Sequence, residues 1–278
     1  MLFYRQVQEL LELLSGQNEN LELDRAALEL AAIEYPDLDP GDFLAILDSY
    51  AVELAGRLPD VCTGEQFVAA TNAYLFGELG FAGNARNYYD PCNSCLNEVL
   101  TSRTGIPITL SLIYMEIARR LAKPVFGIGL PGHFLVQYDD GQFTTFIDPF
   151  HNGALLTSEE CYDLARRSSG EDYGNDPALL ARVSKQQIIR RMINNLRTVY
   201  FFRRAHAKAL KVLDLLLAAN PNSADEYKQR SVVLLEMKNY AGARNNLERY
   251  LTLAPDSPDH EQMKKQLTAI KRYIVGMN

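Results

Sequence analysis

Along residues 1–80, apolar positions recur at helical spacing in segments divided by short polar turns, which predicts helices. In Asp39-Pro40-Gly41-Asp42, Asp39 can accept from first-turn amides and Pro40 suits the first helical position, so a helix is predicted from there to about Arg57. Its apolar face is Phe43, Ile46, Leu47, Tyr50 and Leu54. Thr63-Gly64-Glu65-Gln66 has capping-box spacing and predicts another helix, with Phe67, Tyr74 and Leu75 as core contacts. Asp90-Pro91 repeats the proline device and predicts a third, running through Leu96, Val99 and Leu100.

After Gly105-Ile106-Pro107, the segment from Ile108 to Leu121 is apolar on nearly every side, the pattern of a central, buried helix. Lys123-Pro124 ends it. The pattern then turns strand-like over Val125–Gly129, His133–Tyr138 and Phe143–Asp148. Asp139-Asp140-Gly141-Gln142 separates the last two, and Asp-Gly predicts a two-residue hairpin turn with both central residues at positive φ. That register sets His133 directly opposite Asp148, whereas a slip of one residue would put them on opposite faces.

Thr157-Ser158-Glu159-Glu160 is a further capping box, and the polar, turn-rich stretch from Ser168 to Pro177 predicts a module boundary, giving domains 1–176 and 177–278. Beyond it a period appears. Pro221 and Pro255 are 34 residues apart, as are Ala209 and Ala243, Leu213 and Leu247, and the bulky Ile193 and Tyr227. The small residue lets the second helix of each hairpin approach the first, and the proline follows its end; this spacing resembles the tetratricopeptide pattern. Arg230 stands at a position usually apolar, and Arg197 at one usually small. Two units are fewer than a self-supporting stack needs, so Val183–Ile189 and His260–Ile274 are expected to act as caps or docking helices.

With 278 residues, 47% of them apolar, the chain can form one or two packed cores. No window approaches the uninterrupted apolar length of a membrane span, and Met1 to Gln6 lack a charged lead into an apolar run, so a cytoplasmic protein without membrane attachment is expected. A net charge of −7 argues against general nucleic-acid binding. Charge is uneven, however: from Arg182 to Leu213 there are nine Lys or Arg and no acid. A solvated helix face and a docking surface for an acidic partner both fit such a run.

A carboxylate across a strand pair from an imidazole holds it in one tautomer, so His133 and Asp148 form two thirds of a nucleophilic triad. Cys62, Cys92, Cys95 and Cys161 are too few for a disulfide scaffold. Cys92 and Cys95 have C-x-x-C spacing near a predicted helix start, where a helix dipole lowers a thiol pKa. There is no second cysteine pair, and the four histidines show no ligand spacing, so no metal and no cofactor are expected. Thr109 and Ser111 read as capping or back-bonding hydroxyls. Tyr88, Tyr89, Phe146, Phe150 and His151 are candidates to line a cleft or fill the core.

Asn93-Ser94 with Leu96-Asn97-Glu98-Val99-Leu100, Arg103 to Leu110, Ala118-Arg119-Arg120-Leu121, Pro131-Gly132-His133-Phe134 and Asp148-Pro149-Phe150 resemble the bacterial SirB family over nearly the whole chain. The resemblance implies an α+β fold: a mostly helical transglutaminase-like (papain-like) domain with a small antiparallel sheet, followed by an all-α tetratricopeptide arm. It also implies a central helix whose first position carries the nucleophilic cysteine in active relatives. Here Pro107 stands at about that place, and no cysteine lies between Leu96 and Glu160. Two functions are therefore expected to compete. One is a non-catalytic interaction or regulatory protein that binds a protein or peptide through its repeat arm, the cleft of the transglutaminase-like domain, or both. The other is a cysteine-dependent acyl-transfer enzyme using His133, Asp148 and Cys95.

Overall fold

The computed structural model describes residues 7–16 and 22–277. Met1 to Gln6 lie outside them. Two compact units divide the chain, the first ending at Asn195 and the second running from Leu196. The expected division near 176 thus falls later. The reason is burial: Ile188, Ile189, Met192 and Ile193 have almost no exposure, and Val183 N–H donates to the Gly127 carbonyl, so the chain beyond the polar turn is bound into the first unit.

In the first unit, α1 (Gln8–Ser15), α2 (Leu23–Ala31), α3 (Pro40–Ala55) and α4 (Gly64–Asn72) precede a single π-helical turn, Ala73–Glu78. The predicted caps form: Asp39 accepts from Gly41 N–H, and Thr63 and Gln66 cap α4 reciprocally. Phe67, Tyr74 and Leu75 are fully buried.

The predicted helix from Pro91 is broken. A 3-10 turn, Pro91–Ser94, is followed by Cys95 in an extended conformation, which caps α5 (Leu96–Ser102). Competition for one carbonyl explains the break. The Asn93 carbonyl, which a continuous helix would use, accepts instead from the Thr109 hydroxyl at 2.8 Å, and the Asn93 side chain bonds back to the Asn87 and Tyr88 carbonyls.

The buried helix predicted after Gly105 is α6 (Pro107–Arg120), with Pro107 at its first position. It packs against α3 and against a four-stranded antiparallel sheet, β3 (Val125–Ile128), β4 (Leu135–Asp139), β5 (Thr144–Asp148) and β6 (Ala154–Leu156). Two short parallel strands, β1 (Ala82–Gly83) and β2 (Thr104–Gly105), lie apart from that sheet. The fold class is the one the sequence implied.

The hairpin register differs from the expected one. Asp139 pairs with Thr144 and Val136 with Ile147, around a loop of four residues rather than two. A two-residue turn of the predicted type needs two successive positive φ angles, and in this loop only Gly141 has one, φ 82°. The Asp140 carboxylate holds the wider loop by accepting from the Gln142 and Phe143 amides. The displacement is two residues, and because side chains alternate with a period of two, the faces are preserved.

After α7 (Ser158–Ser169), whose capping box forms as predicted, α8 (Lys185–Phe202) carries the chain to Asn195 and beyond. The second unit continues with α9 (His206–Ala219), α10 (Ala224–Glu236), α11 (Tyr240–Leu253) and α12 (His260–Met277). Ala209, Leu213, Ala243 and Leu247 are buried, as the period required. The backbone repeats it independently. Arg204 (φ 54°) and Lys238 (φ 59°) are both left-handed, and each is followed by an amide bonding five residues back, Ala205 to Tyr200 and Asn239 to Leu234. The unusual Arg230 is accommodated by Asp214 at 2.8 Å and the Asn246 amide oxygen at 3.2 Å.

Candidate active site or binding cavity

The site begins at the turn before β4. Gly132 has φ 70°, and a Cβ there would lie 2.6 Å from the Ser168 carbonyl oxygen, so the close approach of α7 requires glycine. The next residue is His133, whose amide donates to the Leu130 carbonyl at 3.2 Å. Its ring is buried, edge-on to Phe150 at 5.9 Å.

Asp148 closes β5 and starts the 3-10 turn Pro149–His151. Its Oδ1 accepts from the Phe150 and His151 amides at 3.0 and 3.3 Å. Its Oδ2 faces His133 Nε2 at 2.9 Å and His151 Nδ1 at 2.7 Å. Burial works to raise the Asp148 pKa, but the hydrogen bonds and charge of His133 and then His151 outweigh it, and the carboxyl is held below its ordinary range. An ionised acceptor requires protons on both facing nitrogens. By that assignment a neutral His133 keeps its lone pair on Nδ1, the nitrogen turned away from Asp148.

The sequence pairing of His133 with Asp148 is therefore realised, and the structure adds His151. Its signal was an Asp-x-x-His spacing at a strand end, which places both side chains on one side of a single tight turn. One ligand atom from each of His133, Asp148 and His151 lies within 4.8 Å of the others, as do those of Glu22, Asp24 and Glu116. In the first group the shared carboxylate oxygen is engaged by both imidazoles. In the second, Arg119 pairs with all three acids, and Arg120 bonds Asp24 at 2.7 Å and Glu116 at 3.1 Å.

A cavity of about 500 Å³ opens beside His133, walled by Tyr88, Tyr89, Pro107, Ile108, Phe134 and Arg191, with Gly132, Ser168 and Asn195 also on its lining. No cysteine is among these residues. Pro107, at the first position of α6, stands on the wall shared with His133. Cys95 is fully buried, and its thiol donates to the Pro91 carbonyl at 3.4 Å. Cys92 lies beside the Tyr35 hydroxyl at 3.4 Å, and burial raises its pKa. Cys161 sits in an apolar cluster with Ile128, Leu130 and Leu135; burial, and then the nearby Asp148 charge, push its pKa up to about 12. Thr109 caps α6 by accepting from Ile106 N–H at 3.1 Å.

The basic stretch is partly built into the structure. Arg182 pairs with Asp139 and covers Phe126, Arg197 pairs with Glu226, and Arg191 braces the His133 turn. Sequence patterning offered no sign of the Arg191 contact, because it joins α8 to a turn 58 residues earlier.

These features define a class: a transglutaminase-like domain followed by tetratricopeptide repeats. Residues 41–194 match the Transglutaminase-like superfamily and residues 196–268 a Tetratricopeptide repeat family. The chain is 36% identical over 255 residues to a UPF0162 protein of Xylella fastidiosa, covering 90% of each. It is 28% identical to a UPF0162 protein of Pseudomonas aeruginosa, over 88% of this chain and 89% of that one. Human F-box only protein 21 is 34% identical over 140 residues, which are 47% of this chain and 21% of that protein. The chain belongs to the UPF0162 family, the SirB-like proteins.

Proposed function

We propose that this is a non-catalytic interaction protein, which binds polypeptide through its transglutaminase-like cavity and its repeat arm without turning it over. The observation that carries the reading is Pro107 on the cavity wall beside His133, with no cysteine on the lining. A nucleophile must come within hydrogen-bond reach of its base, and proline offers neither thiol nor hydroxyl. The His133–Asp148 pair then fixes the shape and polarity of a binding wall. Stacked helical repeats offer an extended surface of the kind that holds a polypeptide partner.

A second reading, a cysteine-dependent acyl-transfer enzyme, is favoured by the 2.9 Å contact between His133 and Asp148, with Cys95 as nucleophile. Iodoacetamide labelling near neutral pH separates the two. The non-catalytic reading expects Cys95 to label slowly, at the same rate in the native chain and in His133→Ala. Fast labelling of Cys95 that slows in His133→Ala would establish the enzyme reading instead.

A further inference from the structure

We infer that the cavity beside His133 recognises the C-terminal carboxylate of a polypeptide, with Arg191 as its cationic anchor. This rests on the reading of the cavity as a binding site and names what it binds.

The starting observation is the company Arg191 keeps. Its Nη2 donates to the carbonyls of Leu130 at 2.8 Å and His133 at 2.6 Å, and its guanidinium lies 5.5 Å from the Phe134 ring centre. Among the described residues no carboxylate pairs with it, unlike Arg119, Arg120, Arg182 and Arg230. Carbonyls and an aromatic face orient a guanidinium, but they leave its unit charge uncompensated. Arg191 is half-buried, and burial lowers its pKa, so water compensates that charge only in part. The side chain lines the cavity, so an anion entering there would complete the pairing that the protein leaves unmade.

Other features narrow the anion. Pro107 and Ile108 bring the amino end of the 14-residue α6 to the cavity wall, adding the positive end of its dipole. The Asp148 charge is already engaged by two imidazoles and is not on the lining. One guanidinium and a helix end suit a single negative charge. A phosphate monoester, carrying nearly two, is usually met by clustered arginines. The remaining wall is mixed: Tyr88, Tyr89, Phe134 and Ile108 offer aromatic and apolar contact, His133, Ser168 and Asn195 offer polar partners for a peptide backbone, and about 500 Å³ admits more than one residue. A planar carboxylate followed by a short peptide matches that lining.

The test uses the full chain on an array of octapeptides varied at their last four residues. Each is displayed as the free acid, as the C-terminal amide, and as an amide carrying an internal phosphoserine. The expected result is a set of free acids that bind about tenfold or more tighter than their amides, an order set by one charge-assisted pair. Arg191→Met should abolish that preference and Arg191→Lys should restore part of it, with thermal melts confirming that both variants fold. Acids and amides binding alike would overturn the inference while leaving a polypeptide-binding cavity. Binding of the phosphoserine amides alone, or a free-acid preference surviving in folded Arg191→Met, would overturn it as well. None of these outcomes depends on the labelling rate of Cys95, so failure here is distinguishable from failure of the non-catalytic reading.

Discussion

Asp148 meets two requirements with its two oxygens: one closes a backbone turn, the other holds two imidazoles. Asp148→Ala should therefore strand buried His133 without its acceptor and release the Phe150 and His151 amides together. A loss of about 2–4 kcal/mol is expected from leaving several such partners unsatisfied, measurable as a lowered urea midpoint. A different carboxyl, Glu29, governs another pH range. Burial raises its pKa from 4.5 to about 7, against the opposing hydrogen bond from Leu10 N–H. The folded state thus binds this proton more tightly than the unfolded one, so its stabilisation is complete below the ordinary carboxylate range and is lost as pH climbs towards about 7. Glu29→Gln keeps the acceptor for Leu10 and cannot ionise. Its melting temperature should fall less than that of the native chain between about pH 5 and about pH 8. Asp148 has the opposite sign: its contribution is lost only as pH drops through and below its ordinary range. At this scale the sequence revealed His133 and Asp148, because strand alternation survives a two-residue error in register. It concealed Arg191, whose partners are backbone carbonyls that no side-chain pattern encodes.

Among the elements, caps and buried faces were the most legible. Asp39, Thr63 and Thr157 each cap the helix their spacing announced, since capping depends on residues only two or three apart. The break at Cys95 was not legible, because it is decided by Thr109 taking the Asn93 carbonyl from sixteen residues away. The hairpin loop failed for a related reason: Asp140 satisfies two amides with its side chain and so stabilises a wider turn than Asp-Gly alone predicts. In the repeats the small residue has a measurable consequence. Ala243 is fully buried on α11, so Ala243→Leu should overpack the helix pair and cost about 1–3 kcal/mol, read as a lower denaturant midpoint. An unchanged midpoint would mean that close approach at this position is not what the period encodes.

Over the whole chain, the 34-residue period and the clustered motifs disclosed both architectures, while the limit between them was displaced. The polar stretch from Ser168 to Pro177 is a surface excursion. The chain after it returns to the first unit through Val183 and the buried isoleucines of α8. None of the described helices is long and apolar enough to cross a membrane. The central claim is the proposal that the cavity beside His133 binds without turnover because Pro107 stands where a nucleophile would be needed. If His133 and Asp148 still form a working base beside that position, Pro107→Cys should supply the missing thiol. The most direct measurement is its iodoacetamide labelling rate near neutral pH, with buried Cys95 and half-buried Cys62 of the same molecule as internal references. Labelling at position 107 is predicted to outpace both by about tenfold, through thiolate stabilisation at a helix amino end beside an imidazole, and to slow when His133→Ala is added. Labelling at 107 no faster than at Cys62, or rapid labelling of Cys95 in the native chain, would contradict the account.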